Sequence, residues 1–106
     1  MSIVTCPTDV VAVPVERVWE LLTRPAELAR WSDAKLLEGP TRPLEAGDVV
    51  VLGAGFAHLF RVSIEVKAIE PFRQLTVDVQ LPLGVVNHEV IVVTPLGMEQ
   101  CRVTFN

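Results

Sequence analysis

No apolar run in this 106-residue chain approaches the ~18 residues that would cross a bilayer as a helix. The N-terminus, MSIVTCPTD, has neither a basic n-region nor a long apolar core, so it does not read as a secretory signal and the expected address is cytoplasmic. Cysteine is scarce: Cys6 and Cys101 make no disulfide framework, and their spacing is not that of a metal site. A reactive thiolate is not expected at either. Lys and Arg number 9 against 13 Asp and Glu, for a net charge of −4 with no basic cluster. Nucleic acid is therefore excluded as the expected partner. There is no phosphate-binding loop, no Cys-x-x-Cys, no His-x-x-x-His, no Ser-His-Asp spacing, no repeat and no low-complexity segment. No cofactor and no metal are called for.

What is present is an apolar chain, 50% hydrophobic with a mean hydropathy of +0.42. Its length suits one domain over residues 1–106. One stretch is helical, Pro14 to Trp31. Pro14 suits a first helical position, because its missing N–H would be unpaired there. Glu16 follows in the first turn, where the helix dipole favours an acid. Val15, Val18, Trp19 and Leu22 fall on one face of a 3.6-residue period. Burial of Trp19 and Leu22 is worth roughly 1.5–3 kcal/mol each before ordering costs. Pro25 disfavours helical geometry at Arg24, so the first helix is expected to end near Thr23. Pro25 then opens a second helix, with Leu28 and Trp31 on one face. Both are too short to be stable alone and must pack on a sheet.

The rest alternates. Ile3 to Val13 reads as a strand, and Pro7 places it at an edge or a bulge. Ala34 to Glu38 is a short strand, and Gly39 to Asp48 is a loop of turn chemistry. In Val49 to Phe56, Gly53 and Gly55 suggest a bulge or sharp bend. Val62, Ile64, Val66 and Ala68 alternate with Arg61, Ser63, Glu65 and Lys67, so one face is wet. Leu75, Val77, Val79 and Leu81 alternate with Gln74, Thr76, Asp78 and Gln80. Val85 to Thr94 and Glu99 to Phe105 complete the set. Short turns between them predict antiparallel hairpins. The fold class is α+β: a curved antiparallel meander with two short helices between its first two strands, and with the first and last strands as neighbours. No covering helix follows Phe105. An apolar sheet face left open needs a cover, so a longer natural chain truncated at its C-terminus, a homodimer covering the open face, and a collapsed cavity are the three arrangements expected.

The order of "VPVERVWELLTRPAELARW", a Gly-Asp strand entry at Gly47 and Asp48, a "V-x-A-I-E-P" strand end at Val66 to Pro71, and a late "V-T-P-L-G" hairpin resembles the START-like helix-grip (SRPBCC) superfamily. That superfamily includes birch-pollen-allergen-like proteins and the polyketide cyclase/dehydrase and lipid-transport proteins. The resemblance runs from Val11 to Asn106 and rests on structural motifs. Pro14, Val18, Trp19, Leu28 and Trp31 match the helix pattern. The resemblance implies a cavity between sheet and helices that binds a hydrophobic small molecule. Family members also carry a long C-terminal helix, which is missing here. The chain also lacks, after "ARW", the second tryptophan of the heat-shock-ATPase-activator branch.

The expected cavity lining is Trp19, Leu22, Trp31, Val62, Ile64, Val66, Val77, Val79, Val86, His88, Val90, Val103 and Phe105. Both tryptophans are expected to be core anchors. With Glu89 solvated, strand alternation points His88 inward, where a histidine serves more often as a wall residue than as an acid/base. His58 sits next to the bent strand Val49 to Phe56 and is expected inside or exposed with equal weight. Asp78, Arg61 and Arg102 read as surface charges. Two functions from different classes follow. One is binding or transport of a hydrophobic, lipid- or polyketide-like molecule. The other is a polyketide cyclase or dehydratase, with His88 as the candidate catalytic residue. A third is an interaction domain whose open sheet face binds another chain.

Overall fold

A computed structural model describes residues 8–55, 57 and 59–105. Its elements run β1 (Thr8–Val11), α1 (Val15–Thr23), α2 (Pro25–Trp31), β2 (Lys35–Glu38), β3 (Val49–Ala54), β4 (Phe60–Glu70), β5 (Gln74–Gln80), β6 (Val86–Pro95) and β7 (Cys101–Phe105). A single 3₁₀ turn, Pro82–Gly84, joins β5 to β6. The strands form one seven-stranded sheet in the order β1-β7-β6-β5-β4-β3-β2, and every pair is antiparallel. The expected meander and the pairing of first and last strands are both found, with Val11 opposite Cys101. Cys6 and His58 lie outside the described residues.

The helices connect the two edge strands, so α1 and α2 cross one face of the sheet from edge to edge. Pro14 is the N-cap, at ψ 154°, and not the first helical residue as expected; α1 begins at Val15. Arg24, at φ −99° and ψ 118°, takes the extended geometry that a following proline imposes. This bend separates the helices and lets each present its own face. The core under α1 is Val18, Trp19 and Leu22 against Val50, Leu52, Val66, Leu75, Val77, Ile91, Val93, Cys101 and Val103. Thr23 is buried among them, and its hydroxyl donates to the Trp19 carbonyl at 2.7 Å. The Trp19 ring meets Phe72 at 6.0 Å, tilted by 44°.

Of the bulge or bend expected from Gly53 and Gly55, Gly53 carries no bulge, pairing regularly with Arg61, while Gly55 turns the chain at φ 74° just after β3. The irregularities fall instead between Leu36 and Glu38 and between Val66 and Ala68. The second matters more. It inserts Lys67, so that Val66 faces Val77 while Ile69 faces Leu75. Side chains on a strand alternate faces, and one extra residue exchanges them. Ala68, expected on the inner face, is therefore exposed, and Ile69 takes its place against the core.

The loop from Gly39 to Asp48 is tied at three points. The Leu44 N–H donates to the Thr23 carbonyl at 2.7 Å, and the Gly47 N–H to the Val66 carbonyl at 2.8 Å. Arg42 grips Asp48 through both guanidinium ends, Nη1 to Oδ2 at 2.7 Å and Nη2 to Oδ1 at 3.1 Å. That clamp, with the Glu45 N–H donating to Oδ2 at 2.7 Å, holds the Asp48 carboxyl below its ordinary pKa of 3.8. A depressed carboxyl stabilises the fold fully above pH 3.8, and that contribution is lost as the pH falls through the lower folded-state value. Asp48→Asn is therefore expected to lower the urea midpoint at neutral pH, with the gap from wild type closing in acid. A gap of constant size down to acid unfolding would contradict the clamp.

Candidate functional site

Two apolar cavities adjoin between the helices and the inner face of the sheet. The larger, about 340 Å³, is walled by Val11 and Val13, by Val18, Leu21 and Leu22 of α1, and by Val103 of β7, with Asp9 at its edge. The second, about 200 Å³, lies under α2 and the loop. Its ceiling is Leu28, Ser32 and Leu44, and its floor is Leu52, Ile64, Leu75, Val77, Val79, Glu89 and Ile91. Leu22, Trp31 and Phe105 border both.

Of the expected lining residues, Leu22, Trp31, Ile64, Val77, Val79, Val103 and Phe105 stand on these walls. Val62 shares their face, opposite Leu52, and Val66 is fully buried in the core; neither borders a cavity. Trp19 lies away from both, facing a separate cleft that it shares with Phe72, Pro71 and Glu20. Trp31 is not a core anchor: it is 48% exposed at the cavity rim, and its indole N–H donates to the Leu21 carbonyl at 2.9 Å.

Val86, His88 and Val90 are corrected in phase. On β6 the buried residues are Ile91 and Val93, which puts Asn87 and Glu89 on the inner face and Val86, His88 and Val90 on the outer one. The His88 side chain is 77% exposed, and its Nδ1 lies 2.5 Å from Asp78 Oδ1 directly across the β5–β6 pair. A ring held there cannot reach the cavities on the opposite face.

Sequence reasoning missed the polar group that does reach in. Glu89 is half-buried on the floor of the second cavity, opposite Val77. Among the described residues it has no hydrogen bond or ion pair. The Ser32 hydroxyl, on the same wall, already donates to the Leu28 carbonyl at 2.6 Å. Cys101 is buried beneath α1, and burial, helped by the negative charge of Glu16, pushes its thiol above the ordinary pKa. It is a packing residue and not a nucleophile. Among the described residues no three His, Cys, Asp or Glu side chains group as a metal site would need, and no helix is long and apolar enough to cross a membrane.

The two short helices and the sheet leave an apolar space between them. The sequence profile described as "Polyketide cyclase / dehydrase and lipid transport" matches residues 7–106. The chain belongs to that family. Among solved structures similar to this family member is DynU16, a protein in the dynemicin biosynthetic locus, at 25% identity and a TM-score of 0.72. The match covers 95% of this chain and 35% of DynU16. CalU16 from Micromonospora echinospora is similar at 19% identity and a TM-score of 0.70, over 92% of this chain and 55% of that one. Mll3558 from Rhizobium loti reaches a TM-score of 0.75 at 17% identity, over 95% of this chain and 74% of that one. The last two likenesses establish the helix-grip fold alone. The chain spans about a third and about half of the first two structures. No curated protein matches the sequence.

Proposed function

We propose that this family member binds a hydrophobic small molecule, lipid- or polyketide-like, in the space between the helices and the inner sheet face. The observation that supports it is the pair of adjoining apolar cavities bordered in common by Leu22, Trp31 and Phe105. Their joint wall is almost wholly aliphatic and aromatic, and apolar burial drives binding in such sites. A cyclase or dehydratase reading draws its acid/base group from the same wall. His88 is replaced in that role by Glu89, the one acid on the floor of the second cavity.

Titration with the neutral dye Nile red tests the binding reading. Saturable fluorescence enhancement with about one site per chain is expected, and a competing apolar molecule should reverse it. Enhancement that rises without saturation, or that persists with the same affinity in Val79→Asp, would refute it.

A further inference from the structure

The side chains of these cavity walls share a chemical bias. Three of them in the second cavity carry polar atoms. The Trp31 N–H is spent on the Leu21 carbonyl, and the Ser32 O–H on the Leu28 carbonyl. Glu89 has no partner among the described residues, and a carboxylate only accepts hydrogen bonds. Among the described residues the second cavity thus offers acceptors and no free side-chain donor. Neither cavity has a Lys, Arg or His among the described residues of its wall, while Asp9 adds a second negative charge at the edge of the first.

We infer that the ligand is an apolar molecule bearing a hydrogen-bond donor, an amine first and a hydroxyl second, and not an apolar acid. This rests on the binding reading proposed above and narrows it. A half-buried carboxylate with no partner among the described residues keeps acceptor capacity for a ligand. A ligand ammonium placed beside Val77 and Ile91 would supply the missing charge-assisted bond. A ligand carboxylate would meet Glu89 as a like charge, with no free donor among the described wall residues to receive it. Glu89 therefore fixes which end of the ligand enters, and the aliphatic walls accept the rest.

Naphthylmethylamine, naphthalenemethanol and naphthoic acid share one apolar body and differ in the group that Glu89 would read. Their competition against Nile red near neutral pH is expected to rank amine, alcohol, acid, with the amine at least about tenfold tighter than the acid. Glu89→Gln keeps the side-chain shape and removes the charge; it should bring the amine-to-acid ratio to within about threefold. Glu99→Gln removes an equal charge from the exposed turn before β7 and should retain the wild-type ratio. Equal affinity for amine and acid, preference for the acid, or an unchanged ratio in Glu89→Gln would overturn the inference. So would a loss of selectivity in Glu99→Gln, since net charge would then be its source. Nile red binding with no displacement by any naphthalene sinks this inference alone. Failure of Nile red and all three naphthalenes to bind sinks the binding reading with it.

Discussion

Val79→Asp is expected to cost about 3 kcal/mol or more and to abolish Nile red binding, whereas its neighbour Asp78→Asn should cost under ~1 kcal/mol and leave binding intact. Val79 is half-buried on the cavity floor, opposite Ile64 on β4. A carboxylate there would lose water without gaining a partner. It would also sit diagonally across β6 from Glu89, because residue 79 pairs with Asn87 while residue 77 pairs with Glu89. Such diagonal neighbours lie about 7–8 Å apart, close enough for like charges to repel. Asp78 points the other way and, among the described residues, pairs with the exposed His88. Asparagine keeps an acceptor for the ring and forfeits only the charge. Urea unfolding of both variants alongside dye titration checks the contrast. Equal effects would mean that the register of β5 is one residue out.

Trp19→Ala should be the most destabilising single truncation, at about 3–5 kcal/mol. A domain of this size has on the order of 5–15 kcal/mol in total, so a large share of the chains would unfold. Trp19 is 8% exposed and joins α1 to Phe72 in the β4–β5 turn, which makes it a link between the helices and the sheet. Trp19→Phe keeps a ring in that contact and should lose about half as much or less. Equilibrium unfolding followed by circular dichroism reads both, and Trp31 is retained as a fluorescent probe. A loss below about 1.5 kcal/mol in Trp19→Ala would show that the site collapses around the missing ring.

The elements were legible in the sequence because the chain punctuates them clearly. Pro25 after Arg24 separates the two helices, and the alternation from Leu75 to Gln80 admits only one strand phase. The phase of β6 was not, because Val86, Val90, Ile91, Val92 and Val93 put apolar side chains at both parities. Glu89 then decided the choice wrongly, on the premise that a charge belongs outside. The β5–β6 turn contained the correcting signal. A hairpin centred on Leu83 sets Asp78 opposite His88, and directly paired residues share a face. An outward Asp78 therefore requires an outward His88. The bulge at Lys67 had no such signal, since "VKAIE" satisfies a regular strand equally well. Leu44 also escaped notice, because a lone leucine in a loop with two prolines and two glycines reads as loop, yet it is 5% exposed and forms part of the cavity ceiling.

Because α1 and α2 run between β1 and β2, the two outermost strands, they act mechanically as a strap drawn across the open side of the sheet. Seven strands at about 4.8 Å spacing make a ribbon ~29 Å wide if laid flat. The strap's sixteen helical residues rise ~24 Å at most if collinear, and the bend at Arg24 shortens them further. Helices do not stretch, so the separation of the sheet's edges is limited by the strap and its short connections at Val13 and Asp33. The volume beneath is then governed by chain length, much as a bowstring fixes the depth of a bow. Residues added at Asp33 would let the sheet flatten and change that depth, while those added at the β5–β6 turn would leave it unaltered. Size selectivity in this fold can therefore evolve by insertion at a hinge, with every wall residue unchanged.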